Sequence, residues 1–132
     1  MNIQINLSDT ARALAQSESQ KLLAEVAGVT TVVVATVDGF DVASATGSDA
    51  DPSRIAALAR SIAAISTVVS EEAALGLGRS VTIDTESGFA IVHNVRRLDA
   101  ELVINVIASH SAVLGQVAYR TAQFARALLS AP

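Results

Sequence analysis

The stretch GVTTVVVATVDGFDVAS, Gly28 to Ser44, constrains this chain more than any other. Val29–Thr36 is β-branched almost throughout and apolar at both parities, so it reads as an interior strand whose two faces are both covered. Asp38-Gly39 follows, and the chain then alternates over Phe40–Ala45. Two β-rich runs joined by Asp-Gly are the strongest short-range hairpin signal, because a type I′ turn needs φ > 0 at both central residues. An acid at a glycine-bearing bend also raises the question of a metal or phosphate site. A calcium loop, however, needs a longer register of carboxylates closed by a distant Glu. Asp38-Gly39-Phe40-Asp41 supplies two carboxylates and no such loop, so a turn is the economical reading.

The rest of the chain has to cover that sheet. Residues 2–7 alternate apolar and polar at strand period and predict a short terminal strand. Ser8 is an N-cap for a helix running to about Ala27, with Ala11, Leu14, Leu22 and Val26 near one face and Gly28 as its C′ residue. Asp51-Pro52 opens a second helix, predicted over Pro52–Leu75, with a capping carboxylate and a proline suited to the first helical position. Gly76 and Gly78 break it. Strands follow at Arg79–Asp84, Gly88–Val95 and Ala100–Ala108, joined by short links that favour antiparallel pairing. A last helix spans Ser111–Leu129, with Leu114, Val117, Thr121, Phe124 and Leu128 on one face. The order is α-β-β-α-β-β-β-α in one domain over residues 8–132, preceded by an N-terminal extension of residues 1–7.

Composition narrows the function classes. A chain of 132 residues can bury a full core without staples. It has no cysteine, hence neither disulfides nor a thiolate metal site. Nine basic residues are scattered, only Arg96-Arg97 are adjacent, and the net charge is −4, which argues against a nucleic-acid footprint. No unbroken run of about 18 apolar residues occurs and the start lacks a signal-peptide pattern, so no membrane insertion is expected and the cytoplasm is the default location.

Chemical motifs are weak. Ser48-Asp49-Ala50-Asp51 precedes a helix start, where acids act as caps. Gly76-Leu77-Gly78-Arg79-Ser80 lacks a P-loop pattern and ends a helix where a phosphate cradle would begin one. His93 shares a strand face with Phe89, Ile91 and Val95, and reads as a packed structural histidine. His110 reads as a polar residue at a strand-to-helix junction, and its neighbours Ser109 and Ser111 do not make a Ser-His-Asp site. The expectation is no catalytic, cofactor-binding or metal-binding residue, and a protein that is not an enzyme.

The second helix carries more information. Ile55, Leu58, Ile62, Ile65 and Val69 form a bulky stripe that suffices to dock it on a sheet. Ala59, Ala63, Ser66 and Ser70 form a separate small-residue seam, expected to let another backbone approach and so to serve a homodimer. Arg54, Arg60, Thr67 and Glu71 are polar and available to a partner.

Four segments together resemble the Roadblock/light-chain-seven domain family, including its bacterial MglB-like members. GVTTVVVATVDGFDVAS is similar to that family's first hairpin, and RIAALARSIAAIS to its alanine-rich central helix. GRSVTIDTESGFAIVHNV with LDAELVINVIAS is similar to its three-strand meander, and LGQVAYRTAQFARALL to its last helix. Thr30-Thr31 departs from the glycine or alanine common in members, and MNIQINL has no expected counterpart.

The resemblance implies an α+β fold: a five-stranded antiparallel sheet between the central helix on one face and two terminal helices on the other. It implies dimerisation through the central helix and the third strand, which puts Val81 and Ile83 in the interface beside the Ala/Ser seam. It further implies regulation or scaffolding of a Ras-like small GTPase, with GTPase activation as one form, and no active site or cofactor in this chain. Two other readings stay open: a nucleotide-independent dimeric scaffold in a signalling or motility complex, and a small-molecule sensor domain.

Overall fold

The computed structural model describes residues 6–132. Its elements are α1 (Asp9–Glu25), β1 (Val29–Thr36), β2 (Asp41–Thr46), α2 (Pro52–Glu72), β3 (Ser80–Thr85), β4 (Gly88–Arg96), β5 (Glu101–Ser109) and α3 (Leu114–Ser130). All strands pair antiparallel in one open sheet of order β2-β1-β5-β4-β3. The α+β class, the strand count and the αββαβββα order thus match the sequence expectation. The strand expected over 2–7 falls largely outside the described residues; Asn6 and Leu7 belong to no strand, and Leu7 packs into the core.

The two-residue period of the strands sorts their side chains onto two faces. Val32 and Val34 of β1, Ile91 and Val95 of β4, and Leu102, Ile104 and Val106 of β5 face α1 and α3, meeting Ala11, Ala15, Leu22, Val117, Phe124 and Leu128. Leu22, Leu102 and Leu128 are fully buried there, and each such side chain contributes about 1.5–3 kcal/mol. The intervening residues, Val33, Ala35, Val92 and Val103, face the opposite way and meet only Ala56 and Ala59 of α2 among fully buried helix residues. The chain therefore has one thick core layer and one thin one.

Local chemistry explains the joints, with three corrections. The first hairpin is not a two-residue type I′ turn. The N–H of Gly39 donates to the Thr36 carbonyl (2.9 Å), that of Thr36 donates to the Phe40 carbonyl (2.8 Å), and Asp38 does not have positive φ. Val37-Asp38-Gly39 is thus a three-residue loop whose last residue, Gly39 at φ +100°, takes the left-handed position. Helix α2 stops at Glu72, short of Leu75. Its end is a Schellman arrangement: Leu75 N–H donates to Ser70 O (3.0 Å), Ala74 N–H to Glu71 O (3.1 Å), and Ala74 itself is left-handed at φ +54°. Helix α3 starts at Leu114, so Leu114 sits in its first turn and is half exposed rather than part of the buried face. Helix α1 is capped as expected, Ala11 N–H donating to Ser8 Oγ at 3.1 Å.

The N-cap of α1, the β4–β5 link and the end of α3 are tied together by one arginine with a buried side chain. Arg97 donates to both oxygens of Asp99 (2.8 and 3.0 Å) and to the carbonyls of Leu128 and Ala131. Asp99 also accepts from Ser8 N–H (3.1 Å), and Ser8 Oγ donates to the Pro132 carbonyl. The hydrogen bond from Arg97 holds the Asp99 carboxyl at about 2, below its ordinary 3.8. The Ser8 N–H and the Arg97 charge act in the same direction, against desolvation. The Arg97 guanidinium is raised in turn, first by its hydrogen bond to Asp99.

Candidate interaction surface

Helix α2 is built to form but not to be buried. The Asp51 carboxylate accepts from Ser53 N–H at 3.0 Å and Pro52 occupies the first turn. The helix then runs 21 residues, about 32 Å at 1.5 Å per residue. Only Ala56 and Ala59 are buried, and their small side chains bring the helix backbone close to Val33, Ala35, Val92 and Val103.

This geometry inverts one expectation. The Ala/Ser seam turns toward the chain's own sheet and the loop after the helix. Ala59 is fully buried and unavailable to a partner. Ala63, Ser66 and Ser70 are half-buried, and Ser66 Oγ would lie 2.6 Å from a Cβ placed on Gly78. The bulky stripe, expected to dock on the sheet, points largely outward instead. Leu58, Ile65 and Val69 are 60%, 64% and 57% exposed, and only Ile55 and Ile62 lean against the thin core layer. Val68, which the stripe did not include, is exposed as well, as are Leu75 and Leu77 in the following loop. The helical wheel carries both seams, so what identifies the outer one is the shape of the sheet beneath it.

The exposed stripe continues onto β3. That strand pairs with β4 alone, and its other edge has no partner among the described residues. Val81 is half-buried against the thin layer, and Ile83 is exposed beside it. The edge SVTIDT carries neither lysine nor proline, the usual devices that keep an edge from pairing. A contiguous apolar surface of this kind on a folded chain marks an interaction site.

Arg54, Arg60, Thr67 and Glu71 are all exposed, but the helix does not group them on one side. Arg60 and Thr67 line a cleft of about 280 Å³ with Ala63 and Ala64, facing Asp38 of the first hairpin and Asn94, Arg96 and Glu101 of the sheet end. Arg54 lies about 120° around the helix from Arg60 at 3.6 residues per turn. Thr67 Oγ donates back to Ala63 O at 3.0 Å. The cleft mixes charges: Arg96 Nε is 3.5 Å from Glu101.

His93 is half-buried on the α3 side of the sheet, with Nδ1 3.0 Å from the Asn94 carbonyl. His110 is exposed, its N–H donating to Ser87 O (3.0 Å), and Ser109 Oγ and Ser111 Oγ bond each other at 2.7 Å. Among the described residues no group of three His, Asp or Glu is arranged to hold a metal ion.

By length and composition alone α2 passes for a membrane span, with mean hydropathy 1.2 over its best window, although scattered polar residues interrupt its apolar runs. Arg60 stands in mid-helix, where a span would pay about 2.5–3.5 kcal/mol for it, and Ala56 and Ala59 dock on the chain's own sheet. The surplus apolar surface suits a protein partner.

Comparison with known proteins agrees with the fold. The family model described as Roadblock/LC7 domain matches residues 15–108. No curated protein sequence matches the chain. Among solved structures, the fold is similar to an MglB with tetrameric arrangement (TM-score 0.83, 16% identity, covering 98% of this chain and 95% of that one). It is also similar to the gliding protein MglB of Thermus thermophilus (TM-score 0.81, 15% identity, 98% and 96%). A Roadblock/LC7 domain from Streptomyces avermitilis gives a TM-score of 0.76 at 18% identity over 86% and 92%. At these identities the structural likeness speaks to the fold alone.

Proposed function

Because the chain belongs to the Roadblock/LC7 domain family, we propose that it works as a homodimeric interaction module that regulates or scaffolds a Ras-like small GTPase, by binding rather than by catalysis, in the cytoplasm. The observation that carries the dimer is the outward apolar stripe of α2, Leu58, Ile65 and Val69, running beside the open edge of β3. A second copy related by a two-fold axis can pair its own β3 there and lay its α2 against this one, covering both apolar stripes at once. Val81 and Ile83 keep their place in that interface. Leu58, Ile65 and Val69 take the place of the inward seam of Ala59, Ala63, Ser66 and Ser70.

With the stripes paired, Arg60, Thr67 and Glu71 remain on the flank of each α2 that borders the Asp38–Glu101 cleft. That flank is the surface proposed for the GTPase, and Arg54 contributes from the other side of the helix. The support for a GTPase, rather than another partner, is the resemblance to MglB-like members. A regulator of this type acts by binding one arrangement of the switch regions more tightly than another. The deciding measurement is single-turnover GTP hydrolysis by a Ras-like GTPase of the same organism, with and without this protein, alongside binding to its GDP and GTP-analogue forms. Faster hydrolysis, or preference for one nucleotide state, supports regulation. Equal binding to both states assigns a scaffold role, and no binding to either sinks the GTPase reading.

A further inference from the structure

On the face of the sheet opposite α2, a cavity of about 420 Å³ opens between β4, the start of β3 and α3. Arg79, His93, Arg96 and Arg126 line it, over an apolar floor that includes the buried Ala125 and the side of Leu129. Two exposed arginines, Arg79 and Arg126, therefore face one cavity in a protein of net charge −4, while Arg96 borders it with its guanidinium turned to the α2 side. No carboxylate lines it. The Arg96 guanidinium lies on the α2 side of the sheet, on the Gly78 carbonyl (3.0 Å) and beside Glu101 (3.5 Å). Arg79 and Arg126 have no ion-pair partner among the described residues. The Asn94 carbonyl takes the His93 Nδ1–H, so in that tautomer Nε2 carries a lone pair and accepts a hydrogen bond.

We propose that this cavity binds a small phosphorylated molecule with an apolar body. A concave wall of one charge sign concentrates field and attracts counter-ions. Guanidinium groups present forked donors suited to phosphate oxygens. A carboxylate has no hydrogen to offer the accepting Nε2 of His93, whereas a monoprotonated phosphate monoester has acceptor oxygens for the forks of Arg79 and Arg126 and an O–H for Nε2. The volume falls in the range of small-ligand sites, about 300–1,000 Å³, and the floor of Ala125 and Leu129 suits an apolar group attached to the phosphate. The site stands apart from the α2 stripe, so it is present whether or not the chain regulates a GTPase.

The test is an amide NMR titration of the full chain with phenyl phosphate, with benzyl alcohol as the neutral control and an acidic peptide as the competing anion source. Phenyl phosphate is expected to give saturable shifts confined to the 93–96 and 122–129 amides, and benzyl alcohol none. The Arg79→Gln/Arg126→Gln double variant changes two exposed side chains. It is expected to keep the rest of the spectrum and weaken binding about tenfold or more. Failure to saturate by about 10 mM, unchanged affinity in the double variant, or saturation by the acidic peptide but not by phenyl phosphate would each overturn the proposal.

Discussion

Replacing Arg97 by alanine tests the tie that closes this fold. The side chain makes two bonds to Asp99 and two to the carbonyls at the end of α3, and it is 6% exposed. Removing one member of a sealed ion pair costs about 3–5 kcal/mol. Here the seal is incomplete: the Asp99 side chain is 27% exposed, and it keeps the Ser8 N–H. The expected loss is therefore about 2–3 kcal/mol. In urea that lowers the unfolding midpoint by roughly 1–2 M at unchanged slope, read by circular dichroism at one fixed protein concentration because self-association shifts apparent stability.

The same pair predicts a pH dependence. A carboxyl lowered from 3.8 to about 2 corresponds to at most about 2.4 kcal/mol, and partial exposure reduces this to about 1–2 kcal/mol. The sign follows from linkage. The folded chain binds this proton more weakly than the unfolded chain, so the contribution is complete above about pH 4 and fades as pH falls toward 2. Asp99→Asn should lose it at neutral pH and show a shallower decline between pH 4 and 2. An Arg97→Ala protein within about 0.5 kcal/mol of the parent, or an Asp99→Asn protein with the parent's full acid slope, would refute the reasoning.

Three further outcomes follow from the placement of α2. Ile65→Arg puts a charge in the proposed two-fold interface; light scattering at tens of micromolar should show a monomer with parental circular dichroism, and an intact dimer would move the interface elsewhere. Ala59→Leu overfills the contact with the sheet and should cost about 1–3 kcal/mol in thermal or urea unfolding, whereas a side chain facing a partner would leave an isolated monomer's stability unchanged. Ala74→Gly relieves the left-handed residue at φ +54° and should raise stability by about 0.5–1 kcal/mol, measured as an upward shift in the urea midpoint.

The sequence alone determined the features that depend on near neighbours along the chain. Ser8 and Asp51-Pro52 mark helix starts because a capping oxygen reaches amides only two or three residues away. Val29–Thr36 announces an interior strand because alternate side chains must both be apolar when both faces are covered. The order of elements and the family likeness follow from such local signals, and so does the hairpin, although not its turn type. One glycine at positive φ, rather than two left-handed residues, closes the loop there.

Tertiary structure alone decided which side of α2 meets the sheet. Both seams lie on the helix. The choice rests on how close a surface of valines and alanines lets the helix backbone come, and that surface is assembled from β1, β4 and β5. The Arg97 tie joins Ser8 to Pro132, and the cationic cavity joins Arg79 to Arg126. No local period links residues so far apart; only the folded sheet brings them within reach.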